Sequence, residues 1–536
     1  MSNNQLSEET QQLLRDYKKA LELEKKYNET EEEKISVHQV SSKIAFFYEK
    51  LRNTVDYKEE HLLRKNAVER ILKRRIMTEK NEADVSKFLV YELIRARYLP
   101  NKKIPKSRIG EIERIIEKYT FLLNRVPDQN ANIGAKESLF DWVIGIASYE
   151  IEEKLVPHNK DNAIVDFARG VIIKKVEVDE DLHINSELEQ ELVYIAVLKN
   201  LIKCDVAMIR YKLFMTKHSE WVIAPSEETI SRLALVMNSV AREIDKSISH
   251  EYSENFSGAV KKNLAYFTIL QEVASDHPKE IEYIFSHHFH IEDSIKETCV
   301  KKYRSARTKL SRAAVRSIIY IFITKVALAL IIELPFDKYI IGRINYFTLA
   351  VNILFPPILM ALVVLTIKVP SKKNTDFIVG GIKDIIYGEY KNSPIVIKRT
   401  VVRNSLFSGV FKILYLIVFL VSFGAIIFIL EHLGFNLVSI TLFIFFLSVV
   451  SYFGIRIRQN ARELVVVQKK EGVMSFITDL FSIPILQVGQ WLSTKMSNLN
   501  VFVYVLDFII EAPFKTFLDI FEEWIYYIKE EKDKIK

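Results

Sequence analysis

The sequence predicts an all-α protein with a helical cytoplasmic region, a four-helix transmembrane region and amphipathic C-terminal helices. Three observations support this fold class. Four apolar runs in the C-terminal half are long enough to cross a bilayer as helices. The connections around them alternate between strongly basic ones and short ones that hold few Lys or Arg residues, namely Lys338 and Arg343 in the first and none in 431–436. Glycine (15) and proline (13) are scarce among the 536 residues, against usual shares of about 7% and 5%, so tight turns and hairpins are few.

Two helical cytoplasmic subdomains are expected before the first span, at 1–126 and 137–300. The polar, turn-rich stretch 127–134 lacks apolar periodicity and separates them. In the second subdomain, Ser186 and Glu189 have the spacing of a capping box, in which each side chain satisfies a free N–H of the first helical turn. The apolar stripe that follows, from Leu188 to Ile202, predicts a buried helix.

A basic membrane-proximal segment at 301–316 leads into a transmembrane region at 317–455. Its spans are expected at about 318–340, 346–369, 407–430 and 437–455. Lys and Arg precede the first span, fill the connection between the second and third spans, and follow the fourth span, whereas 431–436 has neither. The positive-inside rule therefore predicts a multi-pass protein of the cytoplasmic membrane with both termini cytoplasmic. No cleavable signal peptide is expected, because Met1–Thr10 lacks a basic start and an apolar core.

Ionisable residues interrupt the spans. Lys325 lies near the middle of the first span and Glu333 near its outer end. A charge at mid-helix costs about 2.5–3.5 kcal/mol on an insertion scale, so this span depends on its neighbours. Eight residues correspond to a rise of about 12 Å, from which we expect no close ion pair between the two. Lys325 would instead extend towards the cytoplasm or meet Asn352. The candidate intramembrane polar positions are Lys325, Glu333, Asn352, Pro356, Pro357 and Glu431.

A metal-like cluster lies at the end of the soluble region. His287, His290 and Asp293 are suitable ligands for a divalent ion, although zinc usually takes four ligands and the others would have to come from elsewhere. The alternative is a hydrophilic helix end beside the membrane-proximal segment. A metal-dependent membrane enzyme centred on this cluster is one hypothesis for function, and no cofactor is otherwise expected.

A second basic cluster lies on one helix in the N-terminal part. It comprises Arg64, Lys65, Arg70, Lys73, Arg74 and Arg75. Interleaved aromatic residues and a known nucleic-acid-binding motif are missing, so no nucleic-acid partner is expected. The remaining interpretations are a solvated helix face and a contact with anionic lipid or with an acidic partner.

The C-terminal region, 456–536, is expected to form amphipathic interfacial helices. Asp507, Glu511, Lys515 and Asp519 recur every four residues and make one polar stripe, whose acids would face basic segments such as Arg304–Arg316. The stretch 473–499 would be an in-plane or re-entrant piece, and a fifth span at 501–521 is the alternative. Candidate lipid or partner contacts are Arg304, Arg307, Lys309, Arg312, Arg316, Trp491 and Trp524.

The sequence carries no phosphate-binding loop, CxxC pair or nucleophile elbow. We therefore expect a non-enzymatic role: a membrane anchor or scaffold that presents a helical cytoplasmic module to protein partners, or to further copies of itself, in the lipid bilayer. The alternative is a transporter or channel component that uses the charged residues of the first span. The scaffold requires a dry helix core around Lys325 and Glu333, whereas transport requires a water-filled path.

Overall fold

A computed structural model describes most of the chain. The described residues are 6–29, 32–53, 59–78, 82–128, 138–221, 225–367, 370, 372–389, 394–398, 405–461, 465–466 and 473–498, and then Phe517, Ile520, Phe521, Trp524, Tyr527, Ile528 and Lys534. They are almost wholly helical, as the all-α prediction requires. The helices form a large helical domain and a bundle built from four candidate membrane spans.

The helical domain begins with twelve described helices. They are α1 (Glu8–Asn28), α2 (Gln39–Asn53), α3 (Glu60–Thr78), α4 (Glu82–Arg95), α5 (Ser107–Arg125), α6 (Leu139–Leu155), α7 (Asn159–Lys175), α8 (Ser186–Asn200), α9 (Val206–Lys217), α10 (Glu227–Ile248), α11 (Ser253–Asp276) and α12 (Ile281–Ser286). One continuous hydrophobic core includes residues from both sides of the expected boundary at 127–136. The division into two subdomains stays a prediction, and 129–137 lies outside the described residues.

Helix starts in this domain follow the capping preferences of the sequence. Ser7, Ser138, Asp205 and Ser226 each accept a hydrogen bond from a backbone N–H of the first turn. The capping box expected at Ser186 is replaced by a simple N-cap one residue earlier, because Asn185 is the N-cap of α8 and its Oδ1 accepts from the N–H of Leu188. The apolar stripe after it is buried, as the sequence predicts.

The basic helix α3 faces inward. Arg64 and Lys65 are buried, at 6% and 3% exposed. Arg64 pairs with Glu152 at 2.6 Å, and Lys65 pairs with Asp205 at 3.0 Å. The other basic residues also have partners within the domain: Arg70 with Glu49, Lys73 with Asp141, Arg74 with Glu92, and Arg75 over the ring of Phe88. The interpretation as a solvated helix face is therefore wrong for Arg64 and Lys65, and contact of this helix with anionic lipid or an acidic partner stays a prediction.

The connection between the second and third candidate spans belongs to the helical domain. Its helix α16 (Lys372–Tyr387) places Ile378, Ile382 and Ile386 in the main core. The strand β2 (Ile395–Ile397) pairs in parallel with β1 (Val176–Val178), from the end of α7. The N–H of Ser7 donates to the carbonyl of Ile386 at 2.9 Å. This connection, which the sequence indicated only as basic, thus closes the core of the domain.

The first candidate span continues a helix that starts inside the domain. Helix α13 (His288–Leu328) buries Ile291, Ile295 and Cys299 in the domain core. It runs on through a π-helical turn (Ala329–Glu333), the short α14 (Leu334–Phe336) and a second π-helical turn (Asp337–Ile341). The whole helical stretch has 54 residues, which corresponds to a length of about 80 Å. Gly342, with φ of 79°, ends it.

Four described helices are long and apolar enough to cross a membrane, as predicted. They are His288–Ile341, Tyr346–Leu365, Gly409–His432 and Leu437–Gln459. The second of these is α15 (Tyr346–Leu365), and the last two belong to α17 (Ser405–His432) and α18 (Leu437–Ala461). The second run ends at Leu365 rather than at the predicted 369, and the first helix begins at His288, inside the domain, rather than at 318. The other ends agree within four residues.

A further helix, α19 (Val473–Asn498), packs on α17 and α18. The hydroxyl of Ser422 on α17 donates to the carbonyl of Phe481 at 3.2 Å. Gly489 is pressed against the backbone of α18, where a side-chain carbon would overlap the carbonyl oxygen of Ser448. The in-plane or re-entrant placement of this helix stays a prediction. The stripe of Asp507, Glu511, Lys515 and Asp519 and the possible span at 501–521 lie outside the described residues.

Candidate functional site

Four polar side chains meet inside the bundle of candidate spans. Lys325 and Glu333 come from the first span, Asn352 from α15 and Ser439 from α18. All four are buried, with 0%, 1%, 0% and 3% of their surfaces exposed. We call these residues the polar cluster. Polar side chains inside a bundle of apolar helices are rare and usually form hydrogen bonds or ion pairs with one another. The cluster is therefore the first candidate for a specific role.

The centre of the polar cluster is an ion pair between Lys325 and Glu333. Lys325 Nζ lies 2.9 Å from Glu333 Oε1, so the expectation that these residues could not pair was wrong. Along a regular α-helix, eight residues make about two and a quarter turns and leave the two side chains on different faces. The π-helical turn at Ala329–Glu333 is wider and brings Glu333 back to the face of Lys325. The Glu333 side chain also leans towards the helix N-terminus, which shortens the gap.

Neighbouring helices complete the cluster. Asn352 Nδ2 donates to Glu333 Oε2 at 2.7 Å and to the carbonyl of Ser439 at 3.2 Å. The hydroxyl of Ser439 donates to Glu333 Oε2 at 3.4 Å. The ammonium of Lys325 lies 4.8 Å from the ring centroid of Phe446 on α18. The expected contact of Asn352 is therefore real, but its partner is Glu333 rather than Lys325.

The chemistry of the polar cluster is that of a closed, charge-compensated contact. Each ion has its opposite charge within hydrogen-bonding distance, and Asn352 bridges two helices. Asn352 Oδ1 is the one side-chain atom of these four residues that is buried without a partner. Two cavities, of about 960 and 600 Å³, are lined by residues of the helical domain and not by the cluster. This arrangement can fix the register of three helices.

Other predicted intramembrane positions surround the cluster without joining it. Pro356 and Pro357 are buried within α15, a little more than one turn after Asn352. Glu431 is exposed at the end of α17. A contact that the sequence did not indicate lies nearby: Asn436 Nδ2 donates to Oδ1 of the buried Asp337 at 2.6 Å. It joins the second π-helical turn to the start of α18.

The predicted metal ligands lie at the start of α13. His287 Nδ1 donates to the carbonyl of Tyr283 at 2.8 Å, and His290 Nε2 lies 3.2 Å from the Tyr283 hydroxyl. Their ring centroids are 5.8 Å apart. No group of three or more His, Cys, Asp or Glu side chains in the described part of the chain is arranged to hold a metal ion. Metal binding by His287, His290 and Asp293 stays a prediction without a matching cluster.

The candidate lipid or partner contacts are exposed. Arg304, Arg307, Lys309, Arg312 and Arg316 follow one another along α13, between the domain and the first span. Trp491 on α19 is 60% exposed and Trp524 is 57% exposed. Their roles stay predictions.

Arg64, His158 and Asp161 line the larger cavity, of about 960 Å³, and belong to a second group of charges whose pairing the sequence did not indicate. The fully buried Glu152 accepts from Arg64, and His158 Nε2 lies 2.9 Å from its Oε2. Burial alone would lower the pKa of His158, but hydrogen bonds with Asp161 and Glu152 outweigh it and raise the pKa to about 9. His158 therefore carries a charge at neutral pH. Both His158 and Arg64 form ion pairs with Glu152. The sequence offers no signal for this triad, because Arg64 lies on α3, Glu152 on α6 and His158 in the connection before α7.

The stability of the helical domain should fall as the pH rises above neutrality. The folded-state pKa of His158 is about 9 and its unfolded value is about 6.5, so its contribution is complete below pH ~6.5 and is lost as the pH rises through 9. The difference corresponds to about 3 kcal/mol. Chemical unfolding followed by circular dichroism between pH 6 and 9.5 measures the loss. His158→Gln should flatten this profile, whereas substitution of the exposed His183 by Gln should leave it unchanged.

Comparison with known proteins gives no match: no family model, no curated protein and no solved structure is similar to this chain. The arguments for function therefore rest on the contacts described above.

Proposed function

We propose that this protein is a multi-pass membrane anchor that presents its helical domain to protein partners at the cytoplasmic face of the membrane. The observation that carries the proposal is the double attachment of the domain. Helix α13 leaves the domain core and becomes the first span, and α16 re-enters the same core after the second span. A domain held by two separate helices keeps a fixed position relative to the bilayer, which is what presentation of a binding module requires.

The same attachment supports the orientation. Because α16 is part of the domain core, the domain and the connection between the second and third spans lie on one side of the membrane. Two crossings separate them in the chain, and two further crossings return the C-terminal region to that side. Lys and Arg in these connections favour the cytoplasmic side. The closed polar cluster supports an anchor over the transport alternative, which needs a water-filled path.

Labelling of single cysteines in intact cells tests the orientation. The natural Cys204 and Cys299 are both buried. An impermeant maleimide should label Glu431→Cys, at the outer connection, and should label Lys262→Cys on α11 only after the cells are opened. Labelling of Lys262→Cys in intact cells would contradict the proposal.

Two adjacent glycines test the docking of α16. A side-chain carbon on Gly381 would lie 2.5 Å from Cε1 of Tyr266 on α11, whereas one on Gly380 meets nothing within 4 Å. Alanine favours helix over glycine by about 1 kcal/mol, so Gly380→Ala should be neutral or stabilising. Gly381→Ala should instead lower stability by about 1–3 kcal/mol through overpacking. Thermal unfolding of the purified full-length protein measures both, and equal effects would show that α16 does not dock on α11.

The anchor role itself is tested by cross-linking in native membranes, followed by mass spectrometry. We expect reproducible cross-links from the helical domain to partner proteins or to a second copy, and we expect Gly381→Ala to reduce them while Gly380→Ala does not. Reconstituted protein should show no ion flux that depends on Glu333. A flux that Glu333→Gln abolishes would favour the transport alternative.

A further inference from the structure

Basic side chains surround the ends of the candidate spans that face the helical domain. They are Arg312 and Arg316 on α13, Lys372 and Lys373 on α16, and Arg456 and Arg458 on α18. All six are exposed. We call them the basic collar.

The collar residues lie at one level of the molecule. A hydrophobic cluster contains Ile318, Val364 and Ile457, one residue from each of the first, second and fourth spans. A side-chain carbon on Gly454 would also touch Val363, so the ends of α15 and α18 are in contact. Arg316 and Arg458 are each within two residues of this cluster, and α16 begins shortly after it. The collar residues of α13 and α18, with the start of α16, therefore lie where the apolar surface of these three spans ends.

The collar differs from the helical domain in its lack of acidic partners. No ion pair between a collar side chain and a carboxylate occurs within the described part of the chain, whereas the cations of α3 are paired inside the domain. The sequence explains the difference. Residues 298–332 and 346–375 contain no Asp or Glu, and 405–461 contains only Glu431, at the opposite end of its span.

We propose that the basic collar binds the headgroups of anionic phospholipids and gives the protein a preference for them over zwitterionic lipids. This rests on the proposed anchor function, because it requires the collar to lie at the membrane surface. A Lys or Arg near an anionic leaflet strengthens binding by roughly fivefold. An unpaired cation also gains more from a lipid phosphate than one that already has a carboxylate partner. The lipid phosphates thus pair with the collar cations as Asp and Glu side chains pair with the cations of the domain.

The long helix α13 supplies a matched test. Along the helix, Arg316 and Arg312 are about 3 and 9 Å from Ile318, while Arg307 and Arg304 are about 16 and 21 Å away. All four arginines are exposed. Interactions between exposed charges are screened beyond about 8 Å at physiological ionic strength. Arg312→Gln with Arg316→Gln should therefore weaken lipid selection, and Arg304→Gln with Arg307→Gln should not.

The experiment uses the full chain in liposomes of equal amounts of phosphatidylglycerol and phosphatidylcholine. The protein is extracted in mild detergent, and the retained lipids are counted by mass spectrometry. The natural protein should retain phosphatidylglycerol in excess, and less of it as salt increases. The Arg312/Arg316 variant should lose roughly 5- to 25-fold of this preference, since Arg316 contributes fully and Arg312, at about 9 Å, is partly screened; the Arg304/Arg307 variant should lose less than about twofold. Thermal unfolding of both variants checks that they fold equally well.

Three results would overturn the proposal. The natural protein could retain both lipids equally, or the two double variants could lose the preference equally. The preference could also appear only after Asp507, Glu511, Asp519, Glu522 and Glu523 are neutralised, in which case the acidic tail covers the collar. Cross-linking to partner proteins is a separate readout, so failure of the anchor role is distinguishable from failure of lipid selection.

Discussion

Replacing Lys325 by Leu should destabilise the bundle of spans by about 3–5 kcal/mol, because the Glu333 carboxylate then stays buried without its counter-charge. Both side chains are at most 1% exposed, and their charged atoms are 2.9 Å apart. Asn352 still donates to Glu333 in the variant, but a neutral amide does not compensate a full charge. Unfolding of the reconstituted protein in mixed micelles of increasing denaturing detergent measures the change.

A control and a rescue make this result specific. Lys338 lies on the same helical stretch but is exposed, so Lys338→Leu should change stability by less than about 1 kcal/mol. Adding Glu333→Gln to Lys325→Leu removes the unpaired charge and keeps an acceptor for Asn352. The double variant should therefore recover at least half of the lost stability. If Lys325→Leu and Lys338→Leu behave alike, the polar cluster does not hold the helices together.

Glu152→Gln should cost the helical domain about 3–5 kcal/mol, because it leaves Arg64 and the charged His158 facing each other without a carboxylate between them. Glu152 is fully buried and Arg64 Nη2 is 2.6 Å from its Oε1. The variant should also show a smaller loss of stability at alkaline pH, since Glu152 is one of the two groups that raise the pKa of His158. Chemical unfolding at pH 7 and pH 9 measures both effects.

The adjacent Glu153 provides the control for this substitution. It lies on the same helix and pairs with Lys212, but its side chain is 21% exposed. Glu153→Gln should therefore cost no more than about 1 kcal/mol and should leave the alkaline profile unchanged. Equal losses from the two variants would show that the burial of Glu152 has no special importance.

The sequence predicted the four apolar helices well because each one can be recognised from a single continuous stretch of the chain. Each span is one uninterrupted apolar run, and the bilayer thickness sets the length that matters. The docking of α16 could not be predicted in the same way. Ile378, Ile382 and Ile386 have helical spacing and indicate an amphipathic helix. Nothing in that spacing states which surface the helix covers, and that surface combines α13 with parts of α1 and α11 that lie more than 100 residues away in the chain.

The polar cluster was only partly predictable. Lys325, Glu333 and Asn352 stand out because ionisable and amide groups are rare in apolar runs. The prediction that Lys325 and Glu333 do not pair was wrong because it assumed a regular α-helix. The π-helical turn changes the faces on which these residues lie. The partners of α3 show the same limit. A basic helix looks identical in sequence whether its cations face solvent or, as here, pair with buried carboxylates of other helices.

The place of α16 in the core has a consequence for how the protein is made. The ribosome completes residues 1–300 well before β2 emerges, and at 5–20 residues per second the 97 intervening residues take about 5–20 s. During that interval the domain has an open apolar groove where Ile378, Ile382 and Ile386 will lie. In the proposed membrane anchor, the first two spans enter the membrane before the groove can close, so completion of the domain core is timed by insertion.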